Sequence, residues 1–202
     1  MEPNFSLSGN VEYHSTLNPI AWDDNKLKPE IRLQLLKIAK AFINYLDVEN
    51  FKLNDVVLTG SNANYNWTDH SDFDLHLITD YSDLECDVIA ESFYRSKKLL
   101  WNEHHEITIG GHDVELYVED SNGTRVSEGV YSVLNDEWIS EPEYKVPTID
   151  SRSVKIKARR LATVIDYEIK NYDSYKDLER LLDKLYDLRQ AGLDDKGEFS
   201  TE

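Results

Sequence analysis

Apolar residues in the first half of the chain recur at helical spacing in two places. From Pro29 onward they repeat every three or four residues, which predicts an amphipathic helix with the proline in its first turn. The apolar positions of this helix are Ile31, Leu35, Ile38, Phe42 and Leu46. A similar spacing predicts a second helix over residues 83–103.

Between these helices the apolar residues have the spacing that is typical of β-strands. Residues 56–58 form an apolar run that ends at Gly60-Ser61, which predicts a buried strand closed by a turn. Residues 72–77 alternate strictly between polar and apolar positions, which predicts a strand with one face of each kind. Residues 107–118 predict a hairpin that turns at two consecutive glycines.

The remainder of the chain is predicted to be loop followed by helix. Residues 119–150 carry turn signals and are expected to be mostly loop, and two helices with a break near 171–174 follow. The predicted fold class is therefore α/β (α+β), a mixed sheet flanked by helices and followed by a helical hairpin. We expect an irregular segment over 1–27, a core domain over 28–150 and a helical extension over 151–202.

Composition narrows the class of protein. The 202 residues carry a formal net charge of −17, and 40% of them are apolar, which argues against intrinsic disorder. The single cysteine, Cys86, excludes an intrachain disulfide and a CxxC framework. The N-terminus has no signal-peptide pattern, and no apolar run approaches the roughly 18 residues of a membrane span. We expect a soluble cytoplasmic protein with no membrane partner, and the acidity disfavours duplex DNA.

The stretch from Gly60 to Asp74 carries the most specific chemical signal. An acidic-x-acidic triplet alone means little in a chain with 39 acidic residues, but here it follows a Gly-Ser turn after ten intervening residues. Carboxylates two apart on a strand share a face, roughly 6–7 Å apart, and can ligate a hard divalent cation. Gly60 allows a close approach to phosphate, and Ser61 offers a hydroxyl and the expected start of a helix. These parts suit phosphoryl or nucleotidyl transfer.

The pattern Gly60-Ser61, ten residues, Asp72-x-Asp74 and a later acid on a strand resembles the nucleotidyltransferase signature of the DNA polymerase beta superfamily. The segments SDFDLHLI and HDVELYV resemble those of small bacterial and phage nucleotidyltransferase-domain proteins. The spacing between the motifs is similar to that of minimal nucleotidyltransferases paired with HEPN toxins. The resemblance implies transfer of a nucleoside monophosphate from a nucleoside triphosphate such as ATP to an acceptor hydroxyl, with release of pyrophosphate.

The resemblance also implies roles for individual residues. Asp72 and Asp74 would hold two Mg²⁺ ions, and Gly60 and Ser61 would hold the β- and γ-phosphates. A third carboxylate would complete one metal site and help to activate the acceptor. We favour Glu115 for this role.

The choice of third carboxylate depends on the hairpin after residue 107. Glu115 is bracketed by Val114 and Leu116, as in the pattern of the family, and lies deeper in the predicted strand. Asp113 lies on the same face and is the alternative. In so acidic a chain, both could instead be solvated acids on an edge strand.

Several other residues are candidates for contact with the nucleotide. His76 continues the face of Asp72 and Asp74, where it either touches the nucleotide or simply completes a polar face. The ten residues SRSVKIKARR contain five basic residues and no acidic one. Lys155 and Arg159 lie four apart in this stretch, so they share a helix face that either reaches the triphosphate or is solvated. The adjacent pair at 97 and 98 is a second basic candidate.

The expected activity is that of a nucleotidyltransferase (EC 2.7.7-type). The acidic composition makes a protein or a small molecule a better acceptor than RNA, and the resemblance to HEPN-paired proteins allows a role as an antitoxin that modifies its toxin. The alternative is a non-catalytic module that keeps the fold for contact with a partner.

Overall fold

Four α-helices and eight strands are present in the part of the chain that the computed structural model describes. That part comprises residues 13–49, 51–81, 87–123, 127–145, 151–172 and 174–196. The helices are α1 (Pro29–Leu46), α2 (Asp87–His104), α3 (Ser151–Asn171) and α4 (Tyr175–Lys196). The strands are β1 (Trp22–Asp23), β2 (Lys26–Leu27), β3 (Asp55–Thr59), β4 (Phe73–Thr79), β5 (Thr108–Ile109), β6 (His112–Asp120), β7 (Val130–Ser132) and β8 (Glu137–Ser140).

Six of the strands form one mixed sheet in the order β5-β6-β4-β3-β7-β8. Its neighbours pair antiparallel except for β4 and β6, which are parallel. A parallel pair needs a crossover connection, and α2 provides it. The predicted mixed α/β class is therefore confirmed.

The helix predicted from Pro29 is confirmed as α1, whose buried side chains include Leu35 and Phe42. The helix ends where Asp47 adopts a left-handed backbone with φ 54°. The helix predicted over 83–103 is present as α2 from Asp87, and residues 82–86 lie outside the described part.

The main hydrophobic core lies on one face of the sheet. Phe73, Leu75 and Leu77 point from β4 into it and are fully buried. Apolar side chains of α1 and α2 complete the same cluster. Because side chains alternate along a strand, the polar residues of β4 lie on the opposite face.

The expectation of loop over residues 119–150 is wrong for its middle part. β7 pairs with β3, with Val57 opposite Ser132, and β8 pairs with β7. Strands of three and four residues carry too short a pattern to be recognised locally. Pairing with a strand some 70 residues earlier stabilises them instead.

The described residues before α1 pack into the core. Leu17, Trp22 and Leu27 are buried, and the Trp22 ring stacks on Trp138 with centroids 4.7 Å apart. The Trp22 indole N–H donates to the carbonyl of Asn62 at 2.7 Å. The segment therefore supports the turn that follows β3.

The chain divides into two compact units, one containing the described residues 13–144 and the other those from 145 onward. In the second unit α3 and α4 contact each other, as the predicted helical pair requires. Among the helices of the described ranges, none combines the length and the apolar composition of a membrane span.

Candidate functional site

The turn after β3 brings Gly60 directly against Asp74. Gly60 has φ +71° and ψ −164°, a region that is essentially restricted to glycine. A Cβ atom at this position would lie 1.9 Å from Oδ2 of Asp74 and 2.9 Å from its Cγ. Both the backbone conformation and the available space therefore require glycine here. Gly60 therefore lies directly against a carboxylate of the predicted site.

The residues after Gly60 form a short 3₁₀ helix, Ser61–Ala63, instead of the start of an α-helix. The Asn62 side chain is fully buried, and its Nδ2 donates to the carbonyls of Ser71 and Asp72, at 2.9 Å each. Its Oδ1 accepts from Nδ2 of Asn18 at 2.7 Å. The Ser61 hydroxyl donates to Oγ of Ser71 at 2.7 Å. These bonds close the ten-residue loop and hold the backbone of Asp72.

Sequence reasoning did not select Asn62 and Ser71. The available signal was their position, directly after Gly-Ser and directly before Asp72. A polar side chain at either end of a loop is nevertheless common, so position alone does not distinguish them.

Strand register brings the predicted acids together at one end of the sheet. Asp74 lies opposite Thr59 on β3 and opposite Glu115 on β6. Asp72 precedes Asp74 by two residues, and Asp113 precedes Glu115 by two, so all four carboxylates belong to one face. We call Asp72, Asp74, Asp113 and Glu115 the carboxylate cluster.

The two candidates for the third carboxylate differ in position. Glu115 is the register partner of Asp74, and its charge raises the pKa of both Asp72 and Asp74. Asp113 is exposed, and its charge raises the pKa of Asp72. The register therefore favours Glu115, although its role as a ligand stays a prediction.

Burial and mutual repulsion raise the pKa values of the central acids. For Asp74, burial is the largest cause, and with the charges of Glu115 and Asp72 it raises the pKa to about 6, against the opposing influence of His76 and Lys98. Burial also raises the pKa of Asp72, followed by the charges of Glu115 and Asp113. Concentrated negative charge of this kind favours a bound cation.

His76 lies on the same face, where its ring is held by neighbouring side chains. Its Nε2 is 3.1 Å from Oγ1 of Thr59, and its Nδ1 is 2.7 Å from Oε1 of Glu119. The ring stacks on Tyr117 with centroids 4.4 Å apart and planes 9° from parallel. These contacts are those of a residue that completes the polar face, and its contact with a nucleotide stays a prediction.

Two neighbours contact the same carboxylate oxygen of Glu115. The Tyr117 hydroxyl donates to Oε2 at 2.6 Å, and Nζ of Lys98 lies 3.7 Å from that atom. Nζ of Lys98 is also 3.3 Å from the Tyr117 ring centroid. Of the two adjacent lysines on α2, Lys98 reaches the carboxylate cluster, whereas Lys97 lies over the ring of Tyr45.

A small apolar cluster interrupts the polar face. Further along the same face, Val57, Ile78 and Val130 form a small buried apolar cluster. The register partners of Ile78 are nevertheless charged, Asp55 on β3 and Glu119 on β6, whereas the carboxylate cluster lies at the end of this face where the Gly-Ser turn follows β3.

The predicted basic residues Lys155 and Arg159 lie on α3, in the unit that begins at residue 145. With Arg152 and Ile156 they line a cavity of about 490 Å³. A cavity with three cationic side chains suits an anionic ligand. Their predicted contact with the triphosphate stays a prediction.

The chemistry of the donor set fits Mg²⁺, because Asp72, Asp74 and Glu115 offer only hard carboxylate oxygens. Even so, no group of three or more His, Cys, Asp or Glu side chains in the described ranges is arranged to hold a metal ion as it stands. Glu115 is engaged by Tyr117 and Lys98. A complete ligand set therefore requires side-chain movement.

Comparison with protein-family models, with curated proteins and with solved structures finds no match to this chain.

Proposed function

We propose that the protein is a Mg²⁺-dependent nucleotidyltransferase that moves a nucleoside monophosphate from a nucleoside triphosphate to an acceptor hydroxyl. The observation that supports this most directly is the register of β4 with β6, in which Asp74 and Glu115 are neighbours on one face. Gly60 lies directly against the Asp74 carboxylate, so the Gly-Ser turn to which the resemblance assigns phosphate binding is beside these acids.

In the proposed reaction the acceptor oxygen forms a bond to the α-phosphorus as the bond from that phosphorus to the pyrophosphate oxygen breaks. The acceptor proton passes to a carboxylate oxygen of the cluster, and pyrophosphate leaves. Asp72, Asp74 and Glu115 would hold the cation, which supplies charge neutralisation and lowers the pKa of the acceptor hydroxyl. Ser61 would donate a hydrogen bond to a phosphate oxygen if its hydroxyl turned away from Ser71.

The net charge of −17 bears on the acceptor. A long polyanion is repelled by such a surface, so a protein side chain or a small molecule is the better acceptor than RNA. Because nucleoside triphosphates are intracellular, the proposed reaction takes place in the cytoplasm. A toxin of HEPN type is one protein acceptor to test.

The test is transfer of label from the α-phosphate. The protein is incubated with Mg²⁺, each of the four α-labelled triphosphates and a panel of acceptors, and released pyrophosphate is measured in parallel. We expect Asp74→Asn to reduce turnover by about a hundredfold or more, since it removes a cation ligand.

Asp69→Asn is the matched control, because it makes the same change on an exposed residue of the loop that precedes the site. We expect it to retain the wild-type rate. If the wild type and Asp74→Asn do not differ on any acceptor, the protein is not this enzyme.

The second candidate is a non-catalytic binding module. The engagement of Glu115 by Lys98 and Tyr117 supports it, because an internal cation can replace a metal where none is needed. Calorimetry with Mg²⁺ and each triphosphate separates the two functions. An enzyme binds nucleotide with micromolar to millimolar affinity, whereas absence of binding favours the module.

A further inference from the structure

An ammonium group lies at the carboxylate cluster, within the same compact unit. Nζ of Lys98 is 3.7 Å from Oε2 of Glu115 and 3.3 Å from the ring centroid of Tyr117. The Lys98 side chain is 21% exposed and that of Glu115 is 41% exposed. The ion pair is therefore partly shielded from water, and its carboxylate is more exposed to solvent than its ammonium group.

The topology explains how a helix residue reaches this face. α2 is the crossover between the parallel strands β4 and β6, and it packs beside β6. On the side of β6 away from β4, β5 pairs with His112 and Asp113, and the Val114 N–H donates to the carbonyl of Ile107 at 2.9 Å. Glu115 is the next residue along β6, and Lys98 reaches its carboxylate from α2.

A hydroxyl group and an ammonium group approach the same oxygen of Glu115. Oε2 accepts the Tyr117 hydroxyl at 2.6 Å and faces Lys98 across 3.7 Å. Tyr117 is held in turn by its stacking on His76. Glu115 thus has a defined position in which its charge is balanced by an ammonium group.

A divalent cation bound between Asp74 and Glu115 would compete directly with this arrangement. The divalent cation would bind the Glu115 carboxylate that now pairs with Lys98, and it would repel an ammonium group a few ångströms away. Binding of the divalent cation and retention of Lys98 on Glu115 are therefore mutually unfavourable.

We propose that Lys98 is a built-in counter-ion that occupies Glu115 when the carboxylate cluster holds no divalent cation and leaves it when one binds. This rests on the proposed function to the extent that the cluster is taken as the cation site. Lys98 thereby sets the cation concentration at which the site fills.

The test compares two adjacent lysines of α2. Binding of Mn²⁺ is measured by electron paramagnetic resonance on the full chain for the wild type, Lys98→Gln and Lys97→Gln. Both variants remove one positive charge, but Lys97 lies over Tyr45 and not at the cluster. We expect Lys98→Gln to bind Mn²⁺ about three- to tenfold more tightly than the wild type. Lys97→Gln should stay within about twofold of it.

A second readout follows the lysine itself. In the wild type, the side-chain NMR signal of Lys98, assigned by its loss in Lys98→Gln, should shift as diamagnetic Mg²⁺ fills the site. The signal of Lys97 should remain in place. Circular dichroism and thermal unfolding of each variant show that both comparisons concern folded protein.

The outcomes separate the two hypotheses. If Lys98→Gln binds Mn²⁺ no more tightly than the wild type, or binds none, the counter-ion role is wrong. If Lys98→Gln instead weakens triphosphate binding and leaves Mn²⁺ affinity unchanged, Lys98 is a phosphate ligand and the proposal is again overturned. Tighter Mn²⁺ binding without any nucleotidyl transfer would support the counter-ion role while the proposed enzymatic function fails.

Discussion

The two faces of β4 differ in chemistry and in what they contribute. On one face, Phe73, Leu75 and Leu77 are completely buried among the side chains of α1 and α2. On the other, Asp74 and His76 meet polar groups of β3 and β6. The apolar face stabilises the fold by burial, whereas on the polar face burial makes the charge of Asp74 unfavourable.

This difference indicates that the polar residues of β4 are not there for stability alone. A strand that served only to fold the protein would have no need for a carboxylate whose pKa is raised to about 6 by its surroundings. Perturbed groups of this kind cluster at functional sites, although structural networks produce them too. Substitutions on the two faces should therefore have opposite effects on stability.

The largest expected effect is on the apolar face. Leu75→Ala leaves a cavity in a fully buried position, so we expect a loss of about 4 kcal/mol in the free energy of unfolding. Urea denaturation measures it. Leu99→Ala on α2 is the control, because Leu99 is 60% exposed and should lose less than about 1 kcal/mol. Equal losses in the two variants would contradict the assigned core.

The next effect concerns the contact between the turn and the polar face. Gly60→Ala imposes both an unfavourable backbone conformation and a collision with the Asp74 carboxylate, so we expect a loss of about 3 kcal/mol. Gly111→Ala separates the two causes. Gly111 also has positive φ, +90°, but a Cβ there would meet nothing within 4 Å, and we expect a loss of only about 1 kcal/mol. Thermal unfolding that is equal in both variants would argue against the collision.

The smallest effect has the opposite sign. The pKa of Asp74 is higher in the folded protein, about 6, than its ordinary value of 3.8, so the folded state binds the proton more tightly. The stability linked to that proton is present below pH 3.8 and is lost as the pH rises through 6. Asp74→Asn should therefore stabilise the protein at pH 7, by about 2 kcal/mol and at most about 3.

Thermal unfolding of the wild type and Asp74→Asn between pH 3.5 and 8 checks this sign. The two melting temperatures should converge near the acid end of the range and separate as the pH rises to 6. Asp69→Asn, on an exposed residue, should follow the wild type throughout. An Asp74→Asn variant that is less stable at pH 7 would show that the ionised carboxylate is favourable in the fold.

The local patterns were sufficient for the elements that carry the site. The three- and four-residue spacing after Pro29 predicted α1, and the strict alternation of residues 72–77 predicted β4 with its acids on one face. Both periods are properties of contiguous residues, so they can be recognised without knowledge of the fold. The same applies to the spacing between the Gly-Ser turn and Asp72.

The sequence by itself therefore determined which residues form the main helices and strands, and that Asp72 and Asp74 share a face. Only the tertiary structure decided which groups meet them. The parallel register places Glu115 beside Asp74, the turn places Gly60 against the Asp74 carboxylate, and the crossover helix brings Lys98 to Glu115. It also decided that β7 and β8 exist. The physical reason is that register and crossover contacts join residues distant in sequence, and no local period encodes which distant residue will be the partner.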